Sequence, residues 1–95
     1  MLADMKAAHL TISGEVQGVG YRAWAMRIAA ELGLRGWVRN CIDGTVEMLA
    51  IGTEDAVAVM IEAARQGPRA ACVSAVQVYD DEDDGCTGFV ALPTA

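Results

Sequence analysis

Basic side chains are scarce in this chain, and their scarcity excludes whole classes of partner. The 95 residues include 7 lysines and arginines against 13 aspartates and glutamates, which gives a formal net charge of −6. Because a nucleic-acid surface needs a basic stripe to neutralise phosphates, we expect no nucleic-acid partner. An anionic membrane surface is disfavoured for the same reason. A small anionic substrate is still compatible with this balance, since a site depends on its local donors.

The chain also lacks a long apolar run and a paired-cysteine motif. No stretch reaches the roughly 18 uncharged residues that a spanning helix needs, so we expect no membrane segment. Cys41, Cys72 and Cys86 are odd in number and widely spaced, which suits neither a zinc ribbon nor a disulfide framework. Free thiols are typical of a reducing compartment, and the N-terminus does not resemble a secretory signal. We therefore predict a cytoplasmic protein.

Apolar residues are abundant, at 54% of the chain, although only 5% of the residues are aromatic. Such a composition excludes intrinsic disorder, and the length suits one domain with a core of small and aliphatic side chains. We predict a single domain over residues 1–95, with a core between residues 8 and 92 and a frayed arm before it. We also expect a monomer.

Hydrophobic periodicity predicts the element order β-α-β-β-α-β, followed by a short terminal strand. Two β-α-β halves of this kind predict an α/β (α+β) sandwich, the ferredoxin-like fold, with two helices on one face of an antiparallel sheet. Thr53 is the expected N-cap of the second helix, with acidic residues in its first turn. The predicted strands are residues 8–13, 34–40, 45–51, 71–79 and 86–92, and the helices are 22–32 and a segment from Thr53 to Gly67.

The most informative segment is the loop after the first strand, where residues 14–22 read Gly-Glu-Val-Gln-Gly-Val-Gly-Tyr-Arg. Its glycines let the backbone curl so that successive N–H groups point inward, and such a nest at a helix N-terminus binds anions. Arg22 adds a planar, permanently charged guanidinium, whose paired N–H donors match the spacing of phosphate oxygens. These residues predict a phosphate or carboxylate cradle. The alternative is a tight β-to-α connection with an exposed arginine.

In two motifs the sequence resembles the acylphosphatase family. The family pattern Gly-x-Val-Gln-Gly-Val-x-Phe/Tyr-Arg is matched at residues 14–22. A second pattern, Gly-Trp/Phe-Val-x-Asn followed by Asp-Gly-x-Val-Glu, is matched at residues 36–40 and 43–47. Gly67 and Pro68 give a third, weaker match, and the resemblance extends over residues 8–92.

The resemblance implies a ferredoxin-like fold and hydrolysis of the carboxyl-phosphate bond of acyl phosphates, which yields a carboxylate and inorganic phosphate. It implies that Arg22 is catalytic and holds the phosphoryl group, and that Asn40 is catalytic and positions the attacking water. Because an acyl phosphate carries an activated leaving group, charge stabilisation and a held water should suffice. The backbone N–H groups expected to bind the substrate with Arg22 are those of Gln17, Gly18, Val19, Gly20 and Tyr21.

Three other hypotheses compete with this one. A non-catalytic anion-binding module could share the fold, but it would have no reason to place an amide at Asn40. A carbamoyl-phosphate-handling domain cut from a larger protein is another alternative. The acid run 80–84, expected to be a solvated loop, matches the start of a calcium loop. However, Ala91 stands where the bidentate glutamate of such a loop belongs.

No set of residues in the sequence has metal-ligand spacing, and His9, the only histidine, has no ligand partner at such a spacing. We therefore predict catalysis without a metal or another cofactor. Hydrolysis of benzoyl phosphate should proceed at the same rate after exhaustive dialysis against EDTA. Loss of activity on chelation, restored by a divalent cation, would contradict this prediction.

Overall fold

A five-stranded sheet carries two helices in the computed structural model, which describes residues 4–95. The element order agrees with the predicted ferredoxin-like sandwich. None of the helices in this range is long and apolar enough to cross a membrane. The elements are β1 (Met5–Glu15), α1 (Tyr21–Leu32), β2 (Arg35–Asn40), β3 (Val46–Thr53), α2 (Glu54–Gln66), β4 (Cys72–Asp80) and β5 (Phe89–Ala91).

The strands lie in the order β4-β1-β3-β2-β5, and the first four pair antiparallel, as predicted. The prediction of a wholly antiparallel sheet is wrong for β5, which pairs parallel to β2. The reason lies in the path of the chain. Because β4 ends at the end of the sheet where β2 begins, the chain crosses there and enters β5 in the direction of β2. The sheet is therefore mixed.

The main core lies between the helices and one face of the sheet. The helices face the sheet with a buried stripe each, which includes Ala25 and Ala29 of α1 and Val57, Met60 and Ala64 of α2. Small side chains on these stripes allow the helices to lie close to the sheet. Each large aliphatic side chain that is fully buried there stabilises the fold by roughly 1.5–3 kcal/mol. From the sheet the core receives Ala8, Leu10, Ile12, Val38, Val46, Met48 and Ala50.

Strand β1 starts earlier than periodicity indicated, so the expected frayed arm is wrong for residues 5–7. Met5, Lys6 and Ala7 pair with the last three residues of β3. Met5 and Lys6 find partners because β3 continues to Thr53 rather than ending at residue 51. Residues 1–3 of the expected arm lie outside the described residues.

The acid run, expected to be a solvated loop, is exposed but tied to the sheet. The Arg35 guanidinium donates through two nitrogens to the Asp83 carboxylate and also to the carbonyl of Cys86, at 2.7 Å. This hydrogen bonding holds the pKa of Asp83 below its usual value. Cys86 in turn packs on a small apolar cluster on the helix-free face of the sheet. Within residues 4–95, no three His, Cys, Asp or Glu side chains come together as a metal site.

The Tyr21 side chain connects the start of α1 to the end of α2. Its buried hydroxyl donates to the carbonyl of Ala64 at 2.8 Å, and burial raises the pKa of Tyr21. The Ala64 carbonyl needs this donor because the residue four positions later is Pro68, which has no N–H. Gly67 leaves room for the ring, since a Cβ at that position would lie 2.9 Å from a Tyr21 ring carbon.

We predict that Tyr21→Phe lowers the free energy of unfolding by about 1–2 kcal/mol, because it leaves the buried Ala64 carbonyl without a donor. Urea denaturation would measure the loss. Tyr79→Phe is the matched control, because Tyr79 is 54% exposed and its hydroxyl lies 3.4 Å from Gln77 Oε1. The control should change stability by less than about 0.5 kcal/mol. Equal losses in the two variants would contradict a capping role for Tyr21.

Candidate active site

The loop that joins β1 to α1, residues 16–20, depends on two left-handed glycines. Gly18 has φ +73° and Gly20 has φ +80°, while no non-glycine among the described residues has a positive φ. Added Cβ atoms at the two glycines would meet nothing within 4 Å, so glycine is needed for conformation rather than for space. Alternation of the sign of φ turns successive N–H groups toward a common side, which is the geometry of an anion-binding nest.

Helix α1 begins at this loop without a capping side chain. Its N-cap is Gly20, no side chain bonds to the cap, and the first turn holds no acidic residue. The first helical bond is from Trp24 N to Gly20 O, at 3.0 Å. Across residues 4–95, the N–H groups from Gln17 to Ala23 find no hydrogen-bond acceptor. These donors and the positive end of the helix dipole are therefore available to an anion.

Helix α2 shows what an occupied N-terminus looks like in the same chain. Thr53 Oγ1 accepts from Ala56 N at 3.2 Å, and Glu54 and Asp55 place carboxylates in the first turn. The Glu54 N–H itself donates to Asp4 O at 2.9 Å. The N-cap predicted at Thr53 is confirmed. Because α2 satisfies its own N-terminus and α1 does not, the first turn of α1 is the one suited to a ligand.

Arg22, the second residue of α1, supplies the positive charge beside these donors. Its side chain is exposed, and no carboxylate of the described part of the chain lies within 4.0 Å of its guanidinium. Arg35 and Arg39, by contrast, are paired with Asp83 and Glu47. The guanidinium of Arg22 therefore keeps its planar set of donors for a ligand.

Asn40, the last residue of β2, lies on the wall of the same cavity as Arg22. The volume of this cavity is ≈ 320 Å³, near the lower end of the roughly 300–1,000 Å³ typical of small-molecule sites. Hydrogen bonds from the C-terminal residues of the chain hold the backbone of Asn40 in place. Its carbonyl accepts from Ala95 N at 3.0 Å, and two residues earlier the Val38 carbonyl accepts from Leu92 N at 2.9 Å.

The Gln17 side chain has a role that sequence reasoning missed. Its Nε2 donates to the carbonyls of Cys41 and Thr45, each at 2.8 Å. Gln17 thus ties the glycine loop to the β2–β3 turn that follows Asn40. The sequence offered no signal for this role, because both acceptors are backbone atoms more than 20 residues away along the chain.

The structure brings together most of the predicted site residues. Gly18, Gly20, Tyr21, Arg22 and Asn40 line the cavity, whereas Gln17 and Val19 do not. Val19 packs against the main core, so its backbone alone is left to contact a ligand. No His, Asp, Glu or Cys side chain is among the described residues that line the cavity. The Tyr21 hydroxyl is committed to Ala64, which leaves the lining without an evident general base.

Comparison with known proteins gives a consistent result. A model of the family described as Acylphosphatase matches residues 8–91. The chain is 51% identical over 83 residues to an acylphosphatase of Alcanivorax borkumensis, covering 85% of this chain and 90% of that protein. It is also 51% identical over 92 residues to an acylphosphatase of an Azoarcus species, covering 97% and 94%.

A solved structure gives the same picture at the level of the fold. The structure of an acylphosphatase from Coxiella burnetii superposes with a TM-score of 0.90 and 35% sequence identity. The superposition covers 94% of each chain.

Proposed function

This chain belongs to the acylphosphatase family, and from that premise we propose how it hydrolyses acyl phosphates. The backbone N–H groups of Gln17 to Tyr21 and the Arg22 guanidinium hold the phosphoryl group, while Asn40 orients the attacking water. The observation that carries this proposal is the run of backbone donors from Gln17 to Ala23 that have no acceptor within residues 4–95. Of the residues that carry these donors, Gly18, Gly20, Tyr21, Arg22 and Ala23 line the cavity, and Asn40 lines it with them.

Phosphoryl binding is the first step. The equatorial oxygens accept hydrogen bonds from the loop and from the first turn of α1, and Arg22 binds two of them through its fork. These donors are held in place before the substrate arrives, so they stabilise charge in the transition state with little reorganisation. Gln17 supports this preorganisation, because its two hydrogen bonds keep the loop against the β2–β3 turn.

Water attack is the second step, and Asn40 is the residue suited to direct it. A carboxamide donates and accepts at once, so it can fix the orientation of one water. The water oxygen bonds to phosphorus in line with the leaving carboxylate, and the bond between phosphorus and the carboxyl oxygen breaks. The water proton passes to the phosphate of the substrate, because the described lining offers no other base.

We extend the proposal to the setting of the enzyme. The chain acts as one domain over residues 1–95 and as a cytoplasmic monomer, without nucleic acid, membrane, metal or cofactor. An odd number of widely spaced cysteines supports a reducing compartment, and a net charge of −6 disfavours nucleic acid and anionic membranes as partners.

We predict that Arg22→Ala lowers kcat/KM for benzoyl phosphate by roughly 10²–10³-fold, the range for removal of one preorganised charge-stabilising donor. Competitive inhibition by inorganic phosphate should weaken in parallel. Arg22→Lys should restore only part of the loss, since an ammonium lacks the bidentate fork. Arg27→Ala is the matched control, because Arg27 is exposed on the same helix and does not line the cavity. A normal inhibition constant for phosphate in Arg22→Ala would place the anion site elsewhere.

Asn40→Ala should separate chemistry from binding. We predict that kcat falls by orders of magnitude while phosphate affinity stays within about threefold, the pattern of a group that acts mainly in the transition state. The circular dichroism spectrum must match that of the parent. Equal loss of phosphate binding and turnover would make Asn40 an anion ligand. Loss of neither would favour a site built for anion binding alone.

A further inference from the structure

A hydrogen-bonded cluster lies on the face of the sheet that carries no helix, and the proposed reaction does not yet use it. Its centre is the Glu47 carboxylate on β3, between Val46 and Met48 of the main core. Because successive side chains of a strand point to opposite faces, Glu47 lies on the helix-free face. The four residues of this cluster, which we call the Glu47 cluster, are His9, Trp37, Arg39 and Glu47.

Both carboxylate oxygens of Glu47 are bound. Oε1 accepts from Arg39 Nε at 2.6 Å, and Oε2 lies 2.7 Å from His9 Nε2. Because an ionised carboxylate only accepts, the Nε2 of His9 carries the proton and donates. Burial alone would raise the pKa of Glu47, but the hydrogen bonds from Arg39 and His9 hold this pKa below its usual value. Glu47 is therefore an anion at neutral pH, and it connects its own strand to β1 and β2.

The Arg39 side chain is held on a second side by an aromatic ring. Its Cζ lies 4.8 Å from the centroid of the Trp37 ring, within the range of a cation–π contact. Trp37 in turn meets the ring of His9 edge-on, with 6.1 Å between the centroids. The side chains of Arg39 and Glu47 are only 31% and 21% exposed, so water and salt screen their attraction less than that of a surface pair.

Arg39 immediately precedes Asn40, and this places the cluster directly behind the residue assigned to the water. Arg39 pairs with Glu47 in the β2–β3 register, and Asn40 pairs with Val46. Since Arg39 and Asn40 face opposite sides of the sheet, a tie at the Arg39 side chain limits rotation of the peptide that joins them. Such limits matter to a reaction that relies on orientation, because a displacement of about 1 Å can lower a rate by roughly 10²-fold.

We infer that Glu47 is a positioning residue for the hydrolysis, and that it acts through Arg39 to hold Asn40 in the orientation that the attacking water requires. This inference rests on the proposed function, because it assumes that Asn40 directs the water. Glu47 is not among the described residues that line the cavity, so it has no part in holding the phosphoryl group. Its loss should therefore slow the chemical step and leave anion binding unchanged.

Glu47→Gln is the first test, because it keeps the shape of the side chain and removes its charge. We expect kcat for benzoyl phosphate to fall by about five- to tenfold, less than the loss for a full 1 Å displacement. The inhibition constant for inorganic phosphate should stay within about twofold of the parent value, as expected of a group outside the anion site. Removal of a negative charge by itself favours anion binding, so the charge alone cannot explain a fall in kcat.

Arg39→Met is the second variant, because it keeps an apolar side chain against Trp37 and removes the donor to Glu47. It should give the same fall in kcat with the same phosphate affinity. Circular dichroism and urea denaturation measure the folded fraction of each variant. An unchanged kcat per folded molecule in either variant would overturn the inference. Equal losses of kcat and phosphate affinity would also overturn it, since they would show a distorted anion site.

A double variant tests whether Glu47 acts through Asn40. In the Asn40→Ala background, Glu47→Gln should change the residual kcat by less than about twofold, because the group that it positions is gone. A further five- to tenfold fall, as large as in the parent, would overturn the inference. Failure of the proposed function would look different, because Asn40→Ala alone would then keep the full kcat.

Glu62→Gln is the matched control, since it removes the same charge from an ion pair on α2. Glu62 Oε1 lies 3.5 Å from Arg65 Nε, and the Glu62 side chain is 78% exposed. The control should keep the kcat of the parent and the ¹⁵N signals of the Asn40 side-chain amide. Glu47→Gln should move those amide signals. If they stayed at their parent positions, Glu47 would not orient Asn40, and the inference would be wrong.

Discussion

The uncapped N-terminus of α1 is the feature on which the rest of the site depends. Backbone N–H groups are strong donors, and folded proteins satisfy nearly all of those that they bury. The N–H groups from Gln17 to Ala23 have no protein acceptor within residues 4–95. Gly18 and Gly20 adopt left-handed conformations, which turn successive N–H groups of the loop toward a common side. A side-chain cap or a carboxylate in the first turn, as at α2, would occupy the same donors and neutralise the helix dipole.

Hydrogen bonds hold this loop, and the end of β2 that faces the same cavity, in place. The amide of Gln17 binds it to the β2–β3 turn, and the hydroxyl of Tyr21 binds its helical end to Ala64 of α2. The carbonyl of Asn40, which lines the same cavity, accepts a hydrogen bond from the N–H of Ala95. Fixed positions matter here because the proposed chemistry relies on orientation and charge rather than on a covalent intermediate.

The sequence predicted most of what local chemistry controls. Alternation of side chains located the strands, and helical spacing located the two helices. The anion cradle that the glycines before Arg22 indicate stays a prediction. The sequence missed the features that depend on contacts between distant residues. The direction of β5 follows from where β4 ends, the Gln17 side chain bonds to backbone carbonyls, and Arg35 binds the acidic loop through Asp83. None of these contacts leaves a periodic or compositional signal.

The most direct test of the account is a titration of the ¹⁵N-labelled protein with inorganic phosphate, followed by amide chemical shifts. The account predicts that the largest shifts occur at Gln17 to Arg22, that these amides titrate with one common dissociation constant, and that the first turn of α2 remains unaffected. Phosphate-induced shifts centred on α2 or on another surface, with the amides of the glycine loop unmoved, would contradict it.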